Sequence, residues 1–246
     1  MQNGSIVNIE GSGELTKAMI SDVYKQTLVS AEIGTLCTSI GNAAFYECSN
    51  LTNVVINSDI TSINDNTFLY CGKLTNINIP DTVTSIGNYA FMSCRSLTGI
   101  TIPDAVTSIG DYAFSTCQSL TDITIPDAIT SIGEYSFGGC YSLTSITIPN
   151  NVTSIDYGAF GSCIGLTSVI IGNSVTSIDE KAFDGCSKLA SIISLPTTAP
   201  TIQNNTFQSV KTNGTLTVPS GSTGYNVWMG TSNYYLGKYN WTKVEQ

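Results

Sequence analysis

The sequence predicts a repeat solenoid, a right-handed stack of about eight to nine coils that each span 23 residues. The first observation is a cysteine column that recurs every 23 residues, in step with columns of Phe, Leu and Ile. The second is that two consecutive segments, LTGITIPDAVTSIGDYAFSTCQS and LTDITIPDAITSIGEYSFGGCYS, are nearly identical. The third is a composition with 41% hydrophobic and only 11% charged residues, which is untypical of a disordered chain. The cysteine column is Cys48, Cys71, Cys94, Cys117, Cys140, Cys163 and Cys186.

Each repeat predicts three short elements in a fixed order. LTGITIP predicts a strand with Ile100 and Ile102 facing inward, and Pro103 ends it because proline has no N–H for a ladder. AVTSIG predicts a second short extended piece with Val106 and Ile109 inward. DYAFSTC predicts a short helical or 3-10 turn, since its Phe and Cys are three residues apart. The long strands are expected to form a parallel sheet.

A single coil buries too few apolar side chains to offset the entropy of ordering it, so each copy needs its neighbours. The chain therefore divides into three predicted parts. Residues 1–27 form an N-terminal cap with a short helix in AMISDVYK, residues 28–195 form the repeat array, and residues 196–246 form a degenerate last coil and an aromatic cap. The aromatic residues of the tail either cover the open end of the core or offer a platform for carbohydrate or a partner.

The cysteines are predicted to be buried, reduced thiols that fill the core. Seven share one column, where parallel Cβ vectors cannot close a disulfide without distorting the backbone. The sequence contains no C-x-x-C motif and no histidine, so the commonest general base and the commonest metal ligand are both missing. We therefore expect no enzymatic activity and no cofactor.

The charge distribution argues against nucleic acid as a partner. The net charge is −9, and no Lys or Arg occurs between Arg95 and Lys181. No apolar run approaches the ~20 residues that a membrane-spanning helix needs, so we expect no membrane insertion. The opening residues MQNGSIVNIEGSG lack the pattern of a secretory leader.

The repeat resembles a known family. LTSITIPNNVTSI followed by AFGSC is similar to the BspA-like leucine-rich repeats of host-associated anaerobic bacteria and some protozoan parasites. The tail segments LPTTAPTIQNNTF and GTLTVPSGSTGYNVW strengthen the resemblance, which covers residues 28 to about 230. It implies a leucine-rich-repeat-like solenoid, an extracellular or cell-surface location, and adhesion to host matrix proteins or to other cells.

The exposed positions of the long sheet are the predicted partner-binding face. Their side chains are short and rich in hydroxyl groups, so binding would order few rotamers. We expect a monomer that binds a host matrix or cell-surface protein, or alternatively a glycan. A rival hypothesis is a passive spacer, in which Thr serves strand propensity alone. The predicted face comprises Thr75, Asn76, Asn78, Thr98, Thr101, Thr121, Asp122, Thr124, Thr144, Ser145 and Thr147.

Two further columns have alternative interpretations. The acidic residues either bind calcium or form a solvated surface. The tyrosines are expected to pack between coils rather than to form a binding stripe. The columns are Asp81, Asp104 and Asp127, then Asp111 and Glu134, and for tyrosine Tyr89, Tyr112 and Tyr135.

Overall fold

The computed structural model describes residues 5–9, 12–20, 25–232 and 234–246. The chain forms a parallel β-solenoid of about ten stacked coils with almost no helix. This confirms the predicted fold class. The stack has more coils than the eight to nine expected, because the segments before and after the regular repeats also contribute paired strands.

In most coils a longer strand contributes to one side of the solenoid, which we call the broad sheet. Its strands pair in parallel, and most are offset by one repeat, as in Ser145 with Ser168. Among the described residues, the strand predicted for LTGITIP does not form, because this coil and the next share only the bridge between Gly99 and Asp122 on this side. The strands are β1 (Ser5–Ile9), β3 (Leu28–Ile33), β5 (Asn53–Ile56), β7 (Asn76–Ile77), β11 (Ser145–Thr147), β13 (Ser168–Ile171), β15 (Ser191–Ser194), β17 (Thr215–Val218) and β18 (Thr242–Glu245).

The second extended piece of each coil contributes to another side, which we call the narrow sheet. Its strands are mostly two residues long. The strands are β2 (Gly13–Leu15), β4 (Cys37–Ile40), β6 (Ser62–Ile63), β8 (Ser85–Ile86), β9 (Ser108–Ile109), β10 (Ser131–Ile132), β12 (Ser154–Ile155), β14 (Ser177–Ile178) and β16 (Thr201–Ile202). In all of them from β4 to β14 the Ile is buried. In β2 the buried residue is Leu15, and in β16 Ile202 is only partly buried.

The third side of each coil is a run of turns rather than a helix. The Ser115 N–H donates to the Tyr112 carbonyl, an i→i−3 bond of 3.0 Å such as a 3-10 turn makes. However, Tyr112 and Thr116 have left-handed φ values of 58° and 57°, which interrupt any helix. The N–H of Phe114 donates instead to the next coil, at Ser136 O, 2.8 Å away. Bonding between coils therefore replaces the bonding of a helix.

The core is a column of stacked rings lined by thiols. Consecutive Phe rings from Phe45 to Phe207 stack with centroids 5.2–5.7 Å apart. Each cysteine from Cys71 to Cys186 donates its thiol to the carbonyl of a Phe in the preceding coil, as Cys117 does to Phe91 at 3.2 Å. All eight cysteines are free and buried, as predicted.

The two flanks extend the solenoid. At the N-terminal side, β1 pairs with β3 and β2 pairs with β4. The helix predicted for AMISDVYK falls partly on residues 21–24, which lie outside the described residues, and Lys17–Met19 is a 3-10 turn. The predicted division into two caps and an array stays a prediction.

The aromatic tail covers the last Phe of the core. Trp228 and Tyr225 are fully buried, and the Trp228 ring lies 5.3 Å from the Phe207 ring. The indole N–H of Trp241 donates to the Lys211 carbonyl at 2.8 Å. A second 3-10 turn, Leu236–Tyr239, precedes the edge strand β18. Within the described residues, no helix is long and apolar enough to cross a bilayer.

Candidate functional site

The broad sheet places all eleven predicted binding residues on one outward face. Each is exposed, while the alternating positions Ile77, Ile123 and Ile146 are buried and Ile100 is partly buried. This follows from strand geometry, because successive side chains point to opposite sides of a sheet.

Some hydroxyl and amide side chains on this face form hydrogen bonds with the preceding coil. The Thr121 hydroxyl donates to the Thr98 carbonyl at 3.1 Å, and the Thr75 hydroxyl donates to the Thr52 carbonyl at 3.0 Å. The Asn76 amide donates to Asn53 Oδ1 at 3.1 Å. These bonds hold short side chains in fixed positions, so a partner would meet a pre-ordered surface.

The broad sheet is interrupted at its centre. β7 pairs only with β5, and among the described residues the next two coils share a single bridge, between Gly99 and Asp122. The core is less covered here, since Ile77 is 7% exposed while Val54, one coil earlier, is 1% exposed. The gap therefore leaves Ile77 and the partly buried Ile100 slightly more exposed than the core beside them.

A cavity of about 570 Å³ occupies this gap. Gly99 is among the residues that line it, and no atom lies within 4 Å of the position that a Cβ would take there, so the space above Gly99 is open. Asn76, Asp104 and Asp122 are among the polar residues that line the cavity, together with Thr98, Thr101, Thr121 and Thr124. A smaller cavity of about 270 Å³ continues past Asp122 to Asp127.

The predicted binding face does not include Gly99 or Asp104, although Asp104 belongs to the acidic column for which calcium binding is one interpretation. The signal for Gly99 was present, because its column otherwise carries Asn, Asp or Ser. A glycine in such a column leaves a notch only if the neighbouring side chains do not fold over it. That condition depends on the spacing of the coils and is not readable from one strand.

In the acidic column of Asp111 and Glu134, side-chain oxygens accept hydrogen bonds from the neighbouring coil. The Glu134 N–H donates to Asp111 Oδ1 at 2.9 Å, and the Asp111 N–H donates to Asn88 Oδ1 at 2.8 Å. A side-chain oxygen of one coil thus accepts a backbone N–H of the next. Within the described residues, no three acidic, Cys or His side chains converge as metal ligands do. The calcium hypothesis stays untested.

The tyrosine stripe packs between coils, as predicted. Tyr89 stacks on Tyr112 with centroids 5.0 Å apart, and Tyr112 stacks on Tyr135 at 5.1 Å. The Tyr112 hydroxyl donates to Glu134 Oε1 at 2.9 Å, and burial together with this bond raises its pKa. Because Tyr112 stacks on a ring on both sides, neither of its faces is free for a ligand.

The cysteines are placed for packing. Burial raises the pKa of the Cys117 thiol to about 12, far from the range of an activated nucleophile. The same cause raises the pKa of Cys163 to about 12. The absence of enzymatic activity remains a prediction, although a leucine-rich-repeat solenoid is typically a non-catalytic scaffold.

The fold and this exposed sheet define a leucine-rich-repeat solenoid. The family model "BspA type Leucine rich repeat region" matches in six copies, over residues 23–140 and 107–231. The chain belongs to this family, which confirms the resemblance seen in the repeats. No curated protein sequence matches the chain.

Solved structures of bacterial leucine-rich repeat proteins are similar. The T. pallidum leucine rich repeat protein is 30% identical, covers 65% of this chain and 78% of its own, and has a TM-score of 0.61. A leucine-rich repeat protein from Bacteroides ovatus is 20% identical, with coverages of 97% and 92% and a TM-score of 0.56. One from Eubacterium ventriosum is 18% identical, with coverages of 93% and 94% and a TM-score of 0.52. The last two likenesses concern the fold alone.

Proposed function

We propose that the chain is a cell-surface or secreted recognition module that binds a protein partner through the exposed broad sheet and thereby mediates adhesion. The observation that carries the proposal is the pre-ordered outward face with a central groove. The family membership supports a surface repeat protein. A host matrix or cell-surface protein is the proposed partner class, and the module acts as a monomer without a cofactor.

The second candidate function is a passive spacer. One observation favours it: the Thr hydroxyls that bond to the preceding coil occur on the narrow sheet as well, as in Thr107 to Thr84 O at 3.2 Å. Thr columns can therefore serve coil stacking alone. A spacer would tolerate any substitution that leaves the solenoid folded.

Solid-phase binding distinguishes the two candidates. The purified chain is tested against fibronectin, fibrinogen, collagen, laminin and a glycan array, with and without calcium. The diagnostic variant is Thr121→Lys on the broad sheet, and its matched control is Thr107→Lys on the narrow sheet. Both replace an exposed Thr whose hydroxyl donates to a carbonyl 23 residues earlier.

Recognition through the broad sheet requires a saturable signal that Thr121→Lys abolishes and Thr107→Lys preserves. Equal loss in both variants would mean that folding or net charge, not the face, controls binding. A signal that neither variant changes would move the site to another surface. If the folded chain bound none of the proteins or glycans tested, the result would favour the spacer.

A further inference from the structure

The two central cavities form one continuous depression, which we call the acidic groove. The larger cavity lies over Gly99, and both cavities are lined by Asp122, Ile123 and Thr124. The groove runs across four consecutive coils, from Asn76 in the first to Ser145 in the fourth. The inference below rests on the proposed function and specifies the chemistry of the partner.

The charge of the groove is entirely negative. Asp104 and Asp122 line the larger cavity, and Asp122 and Asp127 line the smaller one. All three residues are exposed, and no Lys or Arg lines either cavity. Within the described chain their carboxylates neither pair with a cation nor accept a hydrogen bond. The absence of basic residues from 96 to 180 leaves no neighbour on their own coils to neutralise them.

The floor of the groove is apolar. Ile100 is only half-buried, and Ile77 and Ile102 keep 7% and 6% exposure at the gap in the sheet. An apolar floor beneath a carboxylate rim matches a side chain with a long aliphatic stem and a cationic head. Arginine fits better than lysine, because its planar guanidinium can bond a carboxylate through two N–H groups.

The notch at Gly99 provides the room for such a side chain. The backbone there is not in the left-handed region, and nothing lies within 4 Å of a Cβ built on it. The neighbouring column members Asn76 and Asp122 are both larger, so Gly99 alone leaves space between them. A neutral glycan would leave the three negative charges without a counter-charge, and an anionic one would be repelled.

We propose that the acidic groove binds an arginine-bearing extended segment of the partner protein, with one arginine side chain seated in the Gly99 notch between Asp104 and Asp122. Charge complementarity specifies this occupant. The contact orients the partner on the broad sheet and makes its association sensitive to ionic strength.

The test is a fluorescence-anisotropy titration at low ionic strength with a labelled dodecapeptide of alternating arginine and glycine. The matched probe carries citrulline, a neutral isostere, in place of each arginine. The groove variant is the triple Asp104→Asn, Asp122→Asn and Asp127→Asn. Its control is a triple that removes the same charge elsewhere on the exposed surface. The control is Asp59→Asn, Asp111→Asn and Glu180→Gln.

The groove triple should weaken arginine-peptide binding about tenfold, since each exposed ion pair contributes modestly, and the control triple less than about twofold. Gly99→Trp should block binding by filling the notch, while its thermal unfolding stays that of the parent protein. Equal weakening by the two triples would overturn the proposal, because attraction would then be diffuse. Equal binding of the citrulline peptide would overturn it as well.

Failure here is distinguishable from failure of the proposed function. If a matrix protein binds and Thr121→Lys abolishes the signal, recognition by the broad sheet stands whatever the peptide does. If the peptide binds the groove but every protein of the panel is silent, the acidic groove stands and adhesion to these proteins does not.

Discussion

Gly99 and Gly110 should differ sharply in how much the same substitution changes the free energy of unfolding. A Cβ at Gly110 would lie 2.5 Å from Asn88 Oδ1 and 2.6 Å from the Asn88 backbone N. At Gly99 the same Cβ would meet nothing within 4 Å. Both residues change to Ala, so the chemistry of the substitution is matched and only the space around it differs.

The cost of Gly110→Ala has two parts. Overpacking against a rigid neighbour costs about 1–3 kcal/mol. Displacing Asn88 Oδ1 also breaks the 2.8 Å bond that it accepts from the Asp111 N–H, at about 1 kcal/mol. We therefore expect Gly110→Ala to lower the free energy of unfolding by about 2–4 kcal/mol, and Gly99→Ala to change it by less than about 1 kcal/mol.

Urea unfolding followed by far-UV circular dichroism measures both free energies. A double variant, Asn88→Ala with Gly110→Ala, should recover only part of the loss, because the next nearest atoms are backbone of the preceding coil. If the two single variants lost equal stability, the coils would not be in the close contact described, and the reasoning would be refuted. Full recovery in the double variant would assign the whole clash to the amide.

Three other predictions concern the core and one charge. Phe114→Ala should lower the free energy of unfolding by about 3–5 kcal/mol, near the upper end because the stacking on Phe91 and Phe137 is lost. Urea unfolding measures this, and an unchanged midpoint would contradict it. Burial raises the pKa of the Cys117 thiol to about 12, so this thiol should resist alkylation at pH 8 until urea unfolds the chain. Labelling of the folded protein would exclude burial. Burial, followed by nearby carboxylates, raises the pKa of Asp156, so Asp156→Asn should stabilise the folded protein at pH 7. The stability difference between variant and wild type should vanish as acid protonates the wild-type carboxyl. A difference that grows with acid would reverse the assigned sign.

Much of the molecule follows from the period of the sequence. When every repeat has the same length, identical positions lie over one another, so the Phe and Cys columns had to become continuous core columns. Strand alternation likewise determined which Thr and Asn residues face outward. The family membership rests on the same columns, since they carry the motif that its model matches.

Tertiary structure decided what depends on contacts between coils. The DYAFSTC segment is a run of turns because the Phe114 N–H finds its acceptor one coil away, which no local pattern reveals. Residues assigned to the N-terminal cap form β1 and β2 because they find open sheet edges to pair with. The acidic groove exists because the sheet loses its pairing around Gly99. The size of the opening depends on the distance between neighbouring coils, and a single repeat does not encode that distance.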